Sequence, residues 1–244
     1  DHRDLHLSIR RQRQMCIRDR ISRATFDILK NFSTINGSIL VKEGNSLSTI
    51  STSKNILAQA EVAETFGNEF GIYDLGEFLR VAGDESFEGA EYEFGEDSVV
   101  LNKDRAVCKY YYADLSTIVS PPDKTMVMPD ADVTFDLSLE DFGAVSNMAN
   151  VLGKPDLALV STGNGKINLS VLDKKDPTSN TFDLEVGNGT NTPFEMYFRT
   201  ENLKVLRGNY TVTISAEGIS HFTNNDIQLE YWIALEPDSK FGDV

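Results

Sequence analysis

Apolar residues along this chain follow two periods, short helical stripes separated by runs that alternate every second position. The clearest stripe is IYDLGEFLRVAG (72–83), where Leu75, Phe78, Leu79 and Ala82 recur at i, i+3, i+4 and i+7. Asp74 precedes it as an N-cap, Glu77 three residues on completes a capping-box-like pair, and Gly83 is the stop. The same device is predicted three more times. SRATFDILKNFSTING (22–37) opens on Ser22 and puts Ile28, Leu29, Phe32 and Ile35 on one face. DLSLEDFGAVSNMANVLG (136–153) opens on Ser138, with Asp141 three residues later and Leu139, Phe142, Ala149 and Leu152 inside. FRTENLKVLRG (198–208) is predicted as a fourth helix, capped by Thr200, burying Leu203 and Leu206 and ended by Gly208.

Strands fill the intervals. SILVKEG, SLSTIS and ILAQAEV precede the 72–83 helix, and EYEFGEDSVVLNKDRAVCKYYYA (91–113) supplies three more with turns at Gly95 and Asn102–Asp104. Beyond residue 131 come VTFDL, LALVS, KINLSVL, TFDLEV, FEMYF, YTVTIS and DIQLEYWIAL. In the last, Ile227, Leu229, Tyr231, Ile233 and Leu235 point one way and Gln228, Glu230 and Trp232 the other. Single helices between antiparallel runs make the fold class α+β. Two helices in each half predict an internal duplication. Pro121, Pro122 and Pro129 mark an extended connector, since proline cannot donate to a ladder. The predicted organisation is a first domain over 21–113, a connector over 114–131 and a second domain over 132–244.

Charge changes this picture at one end. The chain of 244 residues carries 23 Lys and Arg against 38 Asp and Glu, net −15. Residues 1–20 hold six of those arginines and show neither period, so they are read either as a basic arm for DNA or as a leader that is non-native or disordered and outside the fold. No apolar run approaches the ~20 residues needed to span a bilayer, so no membrane is expected. Cys16 and Cys108 lack metal-ligand spacing and read as reduced thiols of a cytosolic protein.

Recognisable catalytic motifs are missing: no GxxxxGK[ST], HExxH or GxSxG occurs. His221, the one histidine beyond the leader, reads as a surface strand residue rather than a general base. Asp84, Glu85, Glu88, Glu91 and Glu93 lack the spacing of a calcium loop and read as a solvated acidic segment. No enzyme, cofactor or metal is therefore expected. What stands out in so acidic a chain is the set of cations on the helices: Arg23 and Lys30 on the first, Arg80 on the second, Lys154 after the third, Lys204 and Arg207 on the fourth.

LKNFSTING (29–37), IYDLGEFL (72–79), LSTIVSPPDKTMVMP (115–129), GNYTVTI (208–214) and YWIALEPDS (231–239), in that order and spacing, resemble the DNA polymerase sliding clamps of T-even-like bacteriophages. The resemblance runs from about Ile21 to the C-terminus. It implies a DNA-clamp fold: two duplicated domains whose sheets lie outside and whose helices line a ring, closed as a homotrimer around duplex DNA in the cytoplasm of an infected bacterium. The cations Arg23, Lys30, Arg80, Lys154, Lys204 and Arg207 would face phosphates. On the third helix the inward positions Asn147 and Asn150 are neutral, a departure from the family pattern. The resemblance further implies ring closure by strand addition, with Val107, Lys109 and Tyr111 of 106–112 meeting Phe182 and Leu184 of 181–186 in a neighbour. It also implies a docking surface for DNA polymerase and a clamp-loader ATPase at Ile118, Val119, Met126, Met128, Leu235 and Pro237, and a secondary role in late transcription. The alternative is a β-rich structural or attachment protein of a virion.

Overall fold

A computed structural model describes residues 18–122, 126–189 and 191–242. Cys16 and most of the leader lie outside them. Arg18–Asp19 form a two-residue strand, β1, against expectation, because they complete a ladder rather than bury a stripe. Helix α1 (Arg23–Ile35) starts where Ser22 Oγ accepts from the Thr25 N–H, and it buries Ile28, Leu29, Phe32 and Ile35 as predicted. Four strands follow: β2 (Ile39–Val41), β3 (Gly44–Ile50), β4 (Ile56–Phe66) and β5 (Phe70–Ile72). Then come α2 (Leu75–Ala82) and the strands β6 (Glu91–Phe94), β7 (Ser98–Lys103) and β8 (Ala106–Tyr111).

Asp74 caps α2 through the Glu77 N–H at 2.7 Å. Glu77 does not complete the box; its carboxylate accepts instead from the Tyr110 hydroxyl at 3.2 Å, a tertiary partner that the local pattern cannot foresee. Burial, with Glu77 beside it, pushes the Tyr110 hydroxyl up to about 12.

The second half repeats this order. Strand β9 (Val133–Leu137) leads into α3 (Leu139–Leu152), followed by β10 (Asp156–Thr162), β11 (Lys166–Leu172), β12 (Phe182–Asn188) and β13 (Pro193–Arg199). A 3₁₀ turn (Thr200–Asn202) stands where α2 stands in the first half, and β14 (Tyr210–Ser215), β15 (Ile219–Asn224), β16 (Leu229–Ala234) and β17 (Lys240–Phe241) end the chain.

Two expectations fail here. Residues 198–208 are not a helix. Thr200 Oγ1 donates to the carbonyls of Lys154 and Pro155 instead of capping, Lys204 O accepts from Asn31, and Leu206 N donates to Tyr231 Oη. Backbone groups taken by tertiary partners cannot close i→i−4 bonds, and a segment this short has little propensity to resist. In α3, Leu139 is exposed, and only Phe142 and Val145 are fully buried; Ala149 and Leu152 pack at the margin.

The ladders confirm duplication. One sheet of each half runs β1-β6-β7-β8 or β9-β14-β15-β16, and β13-β10-β11-β12 repeats the path of β5-β2, β3 and β4. The halves are joined edge to edge: β4 pairs with β16, making one six-stranded sheet β3-β4-β16-β15-β14-β9. Strand β16 is shorter than the alternation in 227–235 suggests. Ile227 is 40% exposed, and Trp232 is buried although it lies on the face opposite Tyr231.

Candidate nucleic-acid interface

Helices α1 and α2 lie side by side, and the cations on their polar faces converge. An open groove of ≈ 360 Å³ between them is lined by Phe26, Lys30 and Ser33 from α1 and by Gly76, Leu79, Arg80 and Gly83. Small residues hold the helices close: a Cβ on Gly83 would lie 3.0 Å from the Phe26 ring. Lys30 Nζ sits 5.4 Å above that ring, an arrangement that leaves its charge at the surface. A second groove, ≈ 350 Å³, shares Lys30 and adds Arg23 beside the 85–92 segment. Arg23, Lys30 and Arg80 are all exposed.

Of the remaining cations, Lys204 is brought to the same helix, since its carbonyl accepts from Asn31 Nδ2 at 3.0 Å. Arg207 is exposed on the segment beyond it. Lys154 is half-buried just past α3, and the carboxyl of Asp176 is held below its ordinary range first by hydrogen bonds from Thr178 and last by the charge of this lysine. Helix α3 itself offers Asn147, Asn150 and Val151 to solvent and carries no lysine or arginine. Among the three helices, cations are therefore carried by α1 and α2 alone.

Two structural supports of this surface went unread in the sequence. Glu64, on the buried face of β4, accepts from the Ser22 N–H and from Thr25 Oγ1 at 2.5 Å, holding the N-terminus of α1 with a negative charge. Burial would raise its pKa, but the Thr25 and Ser22 hydrogen bonds outweigh it and hold the carboxyl below its usual range. The signal was present: in ILAQAEVAETF, Glu64 interrupts an otherwise apolar set at every second position. The other support is a tie between halves. Tyr231 Oη donates to Asn31 Oδ1 at 2.7 Å and accepts from Leu206 N. No sequence pattern links residues 200 apart.

The two other candidate surfaces separate clearly. Strands β8 and β12 are sheet edges, each paired on one side only among the described residues. Val107, Lys109 and Tyr111 are the exposed members of β8, while Phe182 and Leu184 are half-buried on β12. Lys109 lies 3.7 Å from Asp97 and stacks over Tyr111. The docking candidates are less unified. Ile118 is buried against Gly71, Val119 accepts from Asn36, Leu235 is buried, Met126 and Met128 are half-buried and Pro237 is exposed. Neither groove described above is lined by any of these six.

His221 is committed to structure, stacked on Trp232 at 4.4 Å with Nε2 3.0 Å from Glu230. Among the described residues no three His, Cys, Asp or Glu side chains gather as metal ligands, and no helix is long and apolar enough to cross a membrane.

A duplicated chain of antiparallel sheets and a few helices, with its halves joined edge to edge, defines the DNA-clamp class of fold. Solved structures agree at the level of fold. A PCNA2–PCNA3 complex from Sulfolobus tokodaii matches with TM-score 0.63 and 12% identity over 87% of this chain and 96% of that one. The Proliferating Cellular Nuclear Antigen of Entamoeba histolytica matches with TM-score 0.63 over 86% and 94%. Residues 21–120 match the family model of DNA polymerase processivity factors, and 134–237 match that of the gp45 sliding clamp C-terminal region. The sliding clamp of Vibrio phage KVP40 is 31% identical over 89% of this chain and 99% of its own length, and that of Enterobacteria phage T4 is 28% identical over 90% and 98%. The chain belongs to the phage sliding clamp family of polymerase processivity factors.

Proposed function

We propose that this chain closes into a homotrimeric ring around duplex DNA and tethers a replicative polymerase without catalysing any reaction itself. The observation that supports this most is the edge-to-edge join of the two halves. It occurs once within the chain, and among the described residues the duplicated counterparts of its two edges, β8 and β12, are each paired on one side only. Strand addition between copies satisfies those edges and gives a head-to-tail assembly.

The cations around α1 supply weak, sequence-independent phosphate contacts. A ring held by topology needs no more, and weak contacts permit sliding. An acidic exterior steers DNA toward the basic surface. Arg23, Lys30, Arg80 and Lys204 are assigned to DNA, with Lys154 and Arg207 in lesser roles. A clamp-loader ATPase opens the ring, polymerase docks near Ile118, Val119, Met126, Met128, Leu235 and Pro237, and the setting is the cytoplasm of the infected bacterium. A supporting role in late transcription belongs to the same reading, with 21–113 and 132–244 acting as its two domains. Family membership removes the virion alternative.

Sedimentation combined with retention on nicked circular and linearised DNA tests this. The expected result is a trimer that stays on circles once loaded and runs off linear ends. A monomer, or equal retention on both DNAs, rejects it.

A further inference from the structure

The internal duplication fixes how two copies meet, if the junction within the chain is taken as the template. Two observations align the strands of the halves residue by residue. After its last strand each half turns back to its sheet edge, with Ala113 N donating to Gly71 O in the first half and Glu236 N to Tyr197 O in the second. That equates Ala113 with Glu236, and so Cys108 with Tyr231. Both β3–β4 and β11–β12 carry a register irregularity, and the first pairs beyond it are Ser46–Glu61 and Asn168–Glu185. That equates Glu61 with Glu185, and so Ala58 with Phe182. Finally, both helices start on a serine cap, but α3 is one residue longer, so Asn31 falls at Asn147 counted from the N-caps and at Met148 counted from the C-caps.

Within the chain Tyr231 stands opposite Ala58, and Leu229 opposite Ala60. We infer that copies of this chain pair β8 with β12 in an antiparallel ladder, with Cys108 opposite Phe182 of the neighbouring copy and Ala106 opposite its Leu184. The inference rests on the ring reading above and assigns its seam a register. It also says what the seam lacks. The Asn31–Tyr231 hydrogen bond that ties the halves together has Cys108 in place of the tyrosine, a weak thiol donor where the junction within the chain has a phenol.

Cysteine pairing tests the register, because residues directly opposite lie within disulfide reach whereas a two-residue offset separates Cα atoms by ~7–8 Å. Full-length chains carrying Cys16→Ser, with Cys108 native, receive either Phe182→Cys or Leu184→Cys and are oxidised after sedimentation has measured their assembly. The expected result is assembled protein in both, with covalent dimers and trimers accumulating at least about tenfold faster in the Phe182→Cys chain. Faster linkage through Leu184→Cys, or no linkage in either although both sediment as rings, overturns the register and leaves the ring standing. Chains that sediment as monomers and never link overturn the ring itself.

Discussion

The two halves of this chain share one topology and differ in how they use their helical positions. In the first, α1 and an eight-residue capped α2 lie together and present Lys30 to two adjoining grooves, one with Arg80 and one with Arg23 opposite Glu85 and Glu88. In the second, α3 carries no cation and exposes Glu140 with Asn147 and Asn150, and the place of α2 is taken by one 3₁₀ turn and an extended segment bound to its surroundings. Duplication thus preserved the scaffold of sheets, which bury the core, while surface charge and helix content differ between the halves. A fold tolerates such divergence because exposed helix residues contribute little to stability.

The largest contrast expected between the halves is electrostatic. Lys30→Glu with Arg80→Glu should lower polymerase stimulation by about tenfold or more while leaving the sedimentation profile intact. Asn147→Glu with Asn150→Glu on α3 should change it by less than about twofold. Replacing Lys30 and Arg80 by alanine should flatten the log–log salt dependence of DNA retention by roughly two units, about 0.9 for each phosphate that is no longer neutralised. Equal effects from both helices would erase the asymmetry.

Next in size is the support beneath α1. Glu64→Ala should cost about 2–4 kcal/mol in urea unfolding, since it leaves a buried N–H and hydroxyl unpaired and removes a charge from a helix N-terminus. Because the folded-state pKa of Glu64 lies below its unfolded value, its stabilisation is present above the unfolded pKa and is lost as pH falls through the folded one. Acid titration of stability should therefore steepen below about pH 4.3 in the native chain more than in Glu64→Gln.

The tie between halves comes third. Tyr231→Phe removes the hydrogen bonds to Asn31 and from Leu206, and should cost about 1–2 kcal/mol without altering secondary structure. Smallest is Leu139→Ala. The side chain is exposed, so the change should stay within about 0.5 kcal/mol, whereas Phe142→Ala one turn away should cost about 3–5 kcal/mol. Comparable losses at both would restore Leu139 to the buried stripe that its spacing predicts.

Patterning alone determined the three capped helices and the antiparallel strands, because caps and periodicity act within a few residues of one another. The candidate cations could be named from sequence too, since a positive charge on a polar helix face is a local fact. Only the tertiary structure decided which of them share a groove, for that depends on α1 and α2 lying side by side. It also decided that 198–208 gives up a helix, because Pro155, Asn31, Tyr231 and Tyr210 take its backbone groups from outside the segment. The same holds for Glu77, which leaves its capping box for Tyr110, and for the edges β8 and β12, whose openness follows from the order of strands in space. Sequence specifies what each segment prefers; where two preferences compete for one donor or one edge, packing chooses.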